Sequence, residues 1–144
     1  MTLADAQLNE LQPGALGSYC WAHRRDARHV VMCADAIWYF PDPISVPPGL
    51  FKIRLFVQKA QMPREMLLRA WRATGSDDRP IGPSEDLDVR LRSIEKNGRV
   101  VGYVAVARTQ VLGDLYLQLY GQWRDEEKFR VLQDASWTFH IRSY

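Results

Sequence analysis

An antiparallel β-sandwich is the fold class that this sequence predicts. Short apolar runs alternate with polar residues at period two, turn residues separate them, and no apolar run is long enough to cross a membrane. Period two places successive side chains on opposite faces of an extended strand, which a helix cannot do. Alternation of apolar with polar further implies sheets with one buried and one wetted face. Seven to eight strands at roughly ten-residue spacing suit a sandwich or a barrel, and the sandwich is the expected form.

The elements follow in chain order. Residues 1–16 read as a short helix or an arm, with Leu3, Leu8 and Leu11 loosely spaced and Pro13-Gly14 as a stop. Ser18 to Trp21 and Val30 to Cys33 flank the charged turn Arg24 to Arg28, as in a hairpin with a solvated tip. Within Phe51 to Val57 the odd positions are apolar, whereas Lys52 and Arg54 point the other way. Pro63 to Ala73 carries apolar residues at helical spacing after a proline. Its neighbours are strands and a long turn follows, so strand is preferred to helix.

Leu87, Val89 and Leu91 alternate with Asp86, Asp88, Arg90 and Arg92, which predicts one half-buried strand. Asn97-Gly98 is a tight-turn signal into a strand from Val100 to Val106. Leu115, Leu117 and Leu119 alternate with Tyr116, Gln118 and Tyr120, and Trp137, Phe139 and Ile141 with Thr138, His140 and Arg142. A short helix is expected within Asp125 to Gln133.

Composition narrows the function. Apolar residues make up 47% of the 144, enough for a real core and too many for intrinsic disorder. The net charge of +2 arises from 19 basic and 17 acidic residues dispersed along the chain, so neither a nucleic-acid nor a membrane partner is expected. Met1 to Asp5 lacks the basic and apolar regions of a signal peptide. The protein is therefore expected to be cytoplasmic unless an export signal has been removed, in which case it is extracytoplasmic.

The densest chemical constellation is Cys20, His23, His29 and Cys33. Four nitrogen and sulfur ligands suit tetrahedral zinc, and such a site would make the protein a small zinc-dependent enzyme or a zinc-stabilised module. Arginines in the intervening turn oppose a dication. A disulfide joining the two hairpin strands is preferred, with free thiols as a third state. No nucleophile elbow, phosphate-binding loop, zinc-protease motif or dinucleotide fingerprint occurs. Ser136 and His140 share a strand face but stand about 13 Å apart, too far for a hydrogen bond. His140 is expected at the surface. Asp77, Asp78, Glu85, Asp86 and Asp88 read as solvated carboxylates rather than calcium ligands. No catalytic residue, metal or other cofactor is expected.

Aromatic residues are the more informative group. Trp21, Trp38, Trp71, Trp123 and Trp137 are many for this length, and most suit inward core positions. Trp38 to Pro41 cannot all face inward, however. Trp38 and Tyr39, with outward Tyr116 and Tyr120, form the candidate binding patch. Arg54, Arg90 and Arg142, also on outer faces, could add polar contacts.

At Gly17-Ser18-Tyr19-Cys20-Trp21, followed by Cys33-Ala34-Asp35, the chain resembles small bacterial exported or lipoprotein domains. Val46 to Gly49, Gly113 to Tyr116 and Ala135 to Phe139 extend the resemblance over most of residues 17–144. It departs from them in the Arg24 to Arg28 insertion. The resemblance implies an immunoglobulin-like sandwich with paired cysteines, no catalytic set, and a tyrosine-corner role for Asp114 and Tyr116. Function is then expected to be that of a non-catalytic extracytoplasmic binding or assembly module. A protein partner or self-association is expected before a small molecule, with the arm of residues 1–16 able to add a strand to a neighbouring sheet.

Overall fold

In the computed structural model, residues 1–4, 10–25, 28–35, 38–57, 61–124 and 132–144 are described; for residues 10, 21–25, 28–31, 124 and 132 this covers the backbone only. Every regular element among them is a β-strand, and none of them forms a helix that could cross a membrane. The expected helix within 125–133 lies largely outside the described residues, and 132–133 already belong to a strand.

Two antiparallel sheets share one core. The first, sheet A, has the order β11 (Arg90–Lys96), β12 (Arg99–Val111), β6 (Gly49–Val57), β1 (Thr2–Ala4) and β2 (Glu10–Pro13). The second, sheet B, runs β10 (Glu85–Leu87), β7 (Glu65–Trp71), β13 (Asp114–Arg124), β14 (Leu132–Ser143), β3 (Ala15–Arg25) and β4 (Arg28–Ala34). Beyond the end of the β3 ladder, β5 (Ile44–Val46) pairs in parallel with the last residues of β14. The small β8 (Ala73–Thr74) and β9 (Pro80–Ile81) form a separate ribbon.

The alternation in the sequence explains where the core sits. Ile53 and Leu55 of sheet A meet Leu115, Leu117, Leu119, Phe139 and Ile141 of sheet B in one buried cluster. Each such side chain contributes roughly 2 kcal/mol of hydrophobic stabilisation relative to exposure. The Asn97-Gly98 turn joins β11 to β12 with φ of 54° and 71°, the left-handed pair that a two-residue hairpin needs. The 65–71 segment is strand, as preferred, because both its edges are paired with β13 and β10.

Three expectations are corrected. Of residues 1–16, those described form no helix: β1 pairs with both β2 and β6, and Leu3 opposite Leu55 is fully buried. An apolar side chain facing the core outweighs any local helical preference. Secondly, residues 86–92 are not one strand. β10 belongs to sheet B and β11 to sheet A, and the chain crosses between the sheets at Asp88 and Val89 while Leu87, Val89 and Leu91 all stay on the core. Lastly, His140 is buried, at 7% exposure, and not at the surface.

Candidate binding face

The outer face of sheet B carries Trp71, Tyr116 and His140 in one cross-strand row and Arg69, Gln118 and Thr138 in the next. Residues 38–43, which follow β4 and precede β5, cross this face as a strap without strand structure. Pro41 and Pro43 lack a backbone donor, which favours an irregular path over ladder pairing. The strap is tied down by named bonds. Thr138 Oγ1 donates to the carbonyl of Tyr39, and Gln12 Nε2 donates to that of Asp42. Gln12 Oε1 in turn accepts from the backbone N–H of His140 at 3.2 Å.

Rings fill the space between strap and sheet. Trp38 meets Trp71 edge-on at 5.9 Å and Phe40 at 6.1 Å, and Phe40 meets Tyr116 edge-on at 5.0 Å. Tyr116 stacks on His140 at 4.3 Å. This explains the burial of His140, whose alternating position alone suggested water. Its Nε2 lies 2.7 Å from Asp114 Oδ1, which also accepts from Arg142 Nε at 2.6 Å. Partial burial works against ionisation of Asp114, but hydrogen bonds and charge from Arg142 and His140 outweigh it and hold the carboxyl below the ordinary aspartate value.

Between the strap and the start of β3 lies a cavity of about 90 Å³, lined by Leu16, Gly17, Ser18, Trp38, Tyr39, Gln118, Ser136 and Thr138. Ser136 Oγ donates to the Ser18 carbonyl at 3.3 Å, whereas the Gln118 side chain makes no hydrogen bond among the described residues. Tyr39 is 59% and Leu16 50% exposed at the rim. The volume is far below the few hundred Å³ of a typical small-molecule site. A single inserted side chain suits it better.

The four aromatic residues proposed from sequence therefore divide. Trp38 and Tyr39 line the cavity, while Tyr116 lies beneath Phe40 as part of the strap's seating. Tyr120 sits one row beyond, opposite Ser136, with Gln122 Nε2 donating to its hydroxyl at 3.3 Å. Burial, with the charges of Asp134 and Glu65, pushes its phenol above the ordinary tyrosine value despite that bond. Trp123 has gone to the interior, where its Nε1 donates to the Gln61 carbonyl. Sequence reasoning missed Leu16, Ser18 and Gln118. The only signal was that they occupy strand positions near the aromatics after folding.

Cys20 and Cys33 are direct partners in the β3–β4 ladder and form a disulfide. Joined sulfurs are not thiolates, so in this state they do not serve as zinc ligands. His23 pairs with Val30 and His29 with Arg24, so the two histidines are not cross-strand partners; their side chains lie outside the described residues. Among the described residues no group of three or more histidine, cysteine or carboxylate side chains could hold a metal. No family model, no curated protein and no solved structure matches the chain.

Proposed function

We propose that the protein is a non-catalytic binding or assembly module whose partner is a protein, either another chain or a second copy of itself. The observation that carries this reading is the cavity between the strap and β3. It is sized for one side chain, has an exposed apolar rim in Tyr39 and Leu16, and is lined by the half-buried Gln118, whose amide makes no hydrogen bond among the described residues. Apolar anchors entering such pockets dominate many protein interfaces, and a polar group at the wall fixes register. An extracytoplasmic location belongs to the proposal, because disulfides persist in oxidising compartments. So does the finer immunoglobulin-like assignment, which rests on the sequence resemblance.

Sedimentation equilibrium across a wide concentration range, together with a displayed peptide library, tests the reading. Reversible self-association lost in Tyr39→Ser, or peptides with one apolar anchor selected on the natural chain and rejected by Leu16→Glu, would support it. A monomer at every concentration that also selects no peptide would end it. The rival zinc reading needs the disulfide reduced. Stoichiometric zinc that disappears in the double variant His23→Ala/His29→Ala, measured under reductant, would favour that reading.

A further inference from the structure

The outer face of sheet A gathers cations that the sequence scatters over more than fifty positions. Lys52 and Arg54 alternate with the core residues of β6 and so lie together on its outer face. In the β6–β12 ladder Arg108 is opposite Lys52, and Val106 is opposite Arg54. Arg90 is in turn opposite Val106, and Arg92 opposite Val104, on β11. Five cations thus surround Val106 over three adjacent strands, a span of about 10 Å from the outermost strand to the innermost. A cavity of about 250 Å³ opens among them, lined by Lys52, Arg90, Arg92, Arg108 and one carboxylate, Asp88, with Val106 and Ala107 as its floor.

Very little neutralises this ring. Asp88 lies at its rim, 3.6 Å from Arg90, and both side chains are more than four-fifths exposed. Among the described residues Lys52, Arg54, Arg92 and Arg108 have no ion pair. The charge of Arg54, then burial, then Arg108 and Arg92 push the Lys52 ammonium below the ordinary lysine value. Like charges held this close repel one another unless an anion joins them.

The shape limits which anion. The next row beyond Lys52 and Arg108 is Leu50 and Gln110; at the other end Arg92 shares a row with Val104 and Phe56, and beyond it Ile94 faces Gly102. The cations therefore close into a patch and do not continue as the basic track that an extended nucleic-acid strand follows. Four of the five are arginines, whose planar forks bind phosphate oxygens in pairs. We infer that the outer face of sheet A is a binding site for a compact polyphosphate, a molecule carrying two or three adjacent phosphate groups.

Titration calorimetry with sodium tripolyphosphate, at about 100 mM salt, tests this directly. The expected result is one saturable site that binds tripolyphosphate at least about tenfold more tightly than orthophosphate and weakens as salt rises. Arg92→Gln and Arg108→Gln, both exposed positions, are each expected to lower that affinity about tenfold with the melting temperature retained. Arg92→Lys is expected to restore part of it. No saturable binding, or binding indifferent to these substitutions, would overturn the inference. A short oligothymidylate that binds more tightly than tripolyphosphate through the same arginines would also overturn it, in favour of a nucleic-acid strand.

Discussion

The two outer faces of this molecule start from the same rule and end in opposite states. Both belong to strands whose inner residues build one core, so both alternate polar with apolar side chains. Sheet A leaves its outer face bare, and Lys52, Arg54, Arg90, Arg92 and Arg108 meet there with Asp88 paired to Arg90 alone. Sheet B has its outer face covered by the 38–43 strap, beneath which Thr138 and His140 are nearly as buried as the core. Strand alternation decides which residues leave the core; what meets them outside depends on the rest of the chain. One face is consequently stabilised by its own contacts, while the other is held under repulsion that a ligand would relieve.

The largest expected effect lies at the edge of the covered sheet. Replacing both cysteines, Cys20→Ser and Cys33→Ser, releases edge strand β4 and is expected to lower unfolding free energy by about 3 kcal/mol in urea melts. Tripolyphosphate affinity on the other face should not change. A joint loss of stability and anion binding would show that the two faces are coupled. Tyr116→Ala comes next, at about 2 kcal/mol, because it removes the ring between Phe40 and His140 and leaves a gap beneath the strap. Near-neutral stability in this variant would mean that the strap is not seated by its aromatics.

Much of the first layer of this contrast was readable from residues alone. Period-two patterns located β6, β12, β13 and β14, and Asn97-Gly98 located the hairpin between β11 and β12. The outward direction of Lys52, Arg54, Arg90 and Arg92 was readable too. Their convergence was not, because register between strands more than thirty residues apart is set by the shared core and by no local signal. For the same reason the balanced net charge concealed a one-sided face. His140 illustrates the converse: alternation correctly took it out of the core, but a strap containing Phe40, a hundred residues earlier, covers it.

Asp114 offers a smaller and more specific test of the covered face. Asp114→Asn weakens its contacts to His140 and Arg142 and is expected to cost about 1 kcal/mol, since the carboxylate is partly exposed. Its pH signature has a definite sign. The folded carboxyl ionises more readily than the unfolded one, so its contribution is complete above the unfolded value, about 3.9. That contribution disappears as pH falls through the lower, folded value. Urea midpoints followed from pH 6 to pH 2 (about four units) should converge for the natural chain and Asp114→Asn. A constant gap throughout would place the carboxylate's effect in packing instead of charge.

The smallest effect is expected on the bare face, and there its sign is the informative quantity. Lys52→Gln removes one of five neighbouring cations and no ion pair among the described residues, so stability should rise slightly at low salt. Added salt screens the repulsion and should erase the gain. The linkage runs the same way: the folded ammonium loses its proton at lower pH than the unfolded one, so the unfolded chain binds more protons between the two values. Stability of the natural chain should therefore climb as pH rises through the folded value toward that of an ordinary lysine. The climb should be absent in Lys52→Gln, and tripolyphosphate should suppress it by supplying the missing negative charge. A variant less stable than the natural chain at low salt would mean that Lys52 is compensated, and with it the contrast between the two faces would fail.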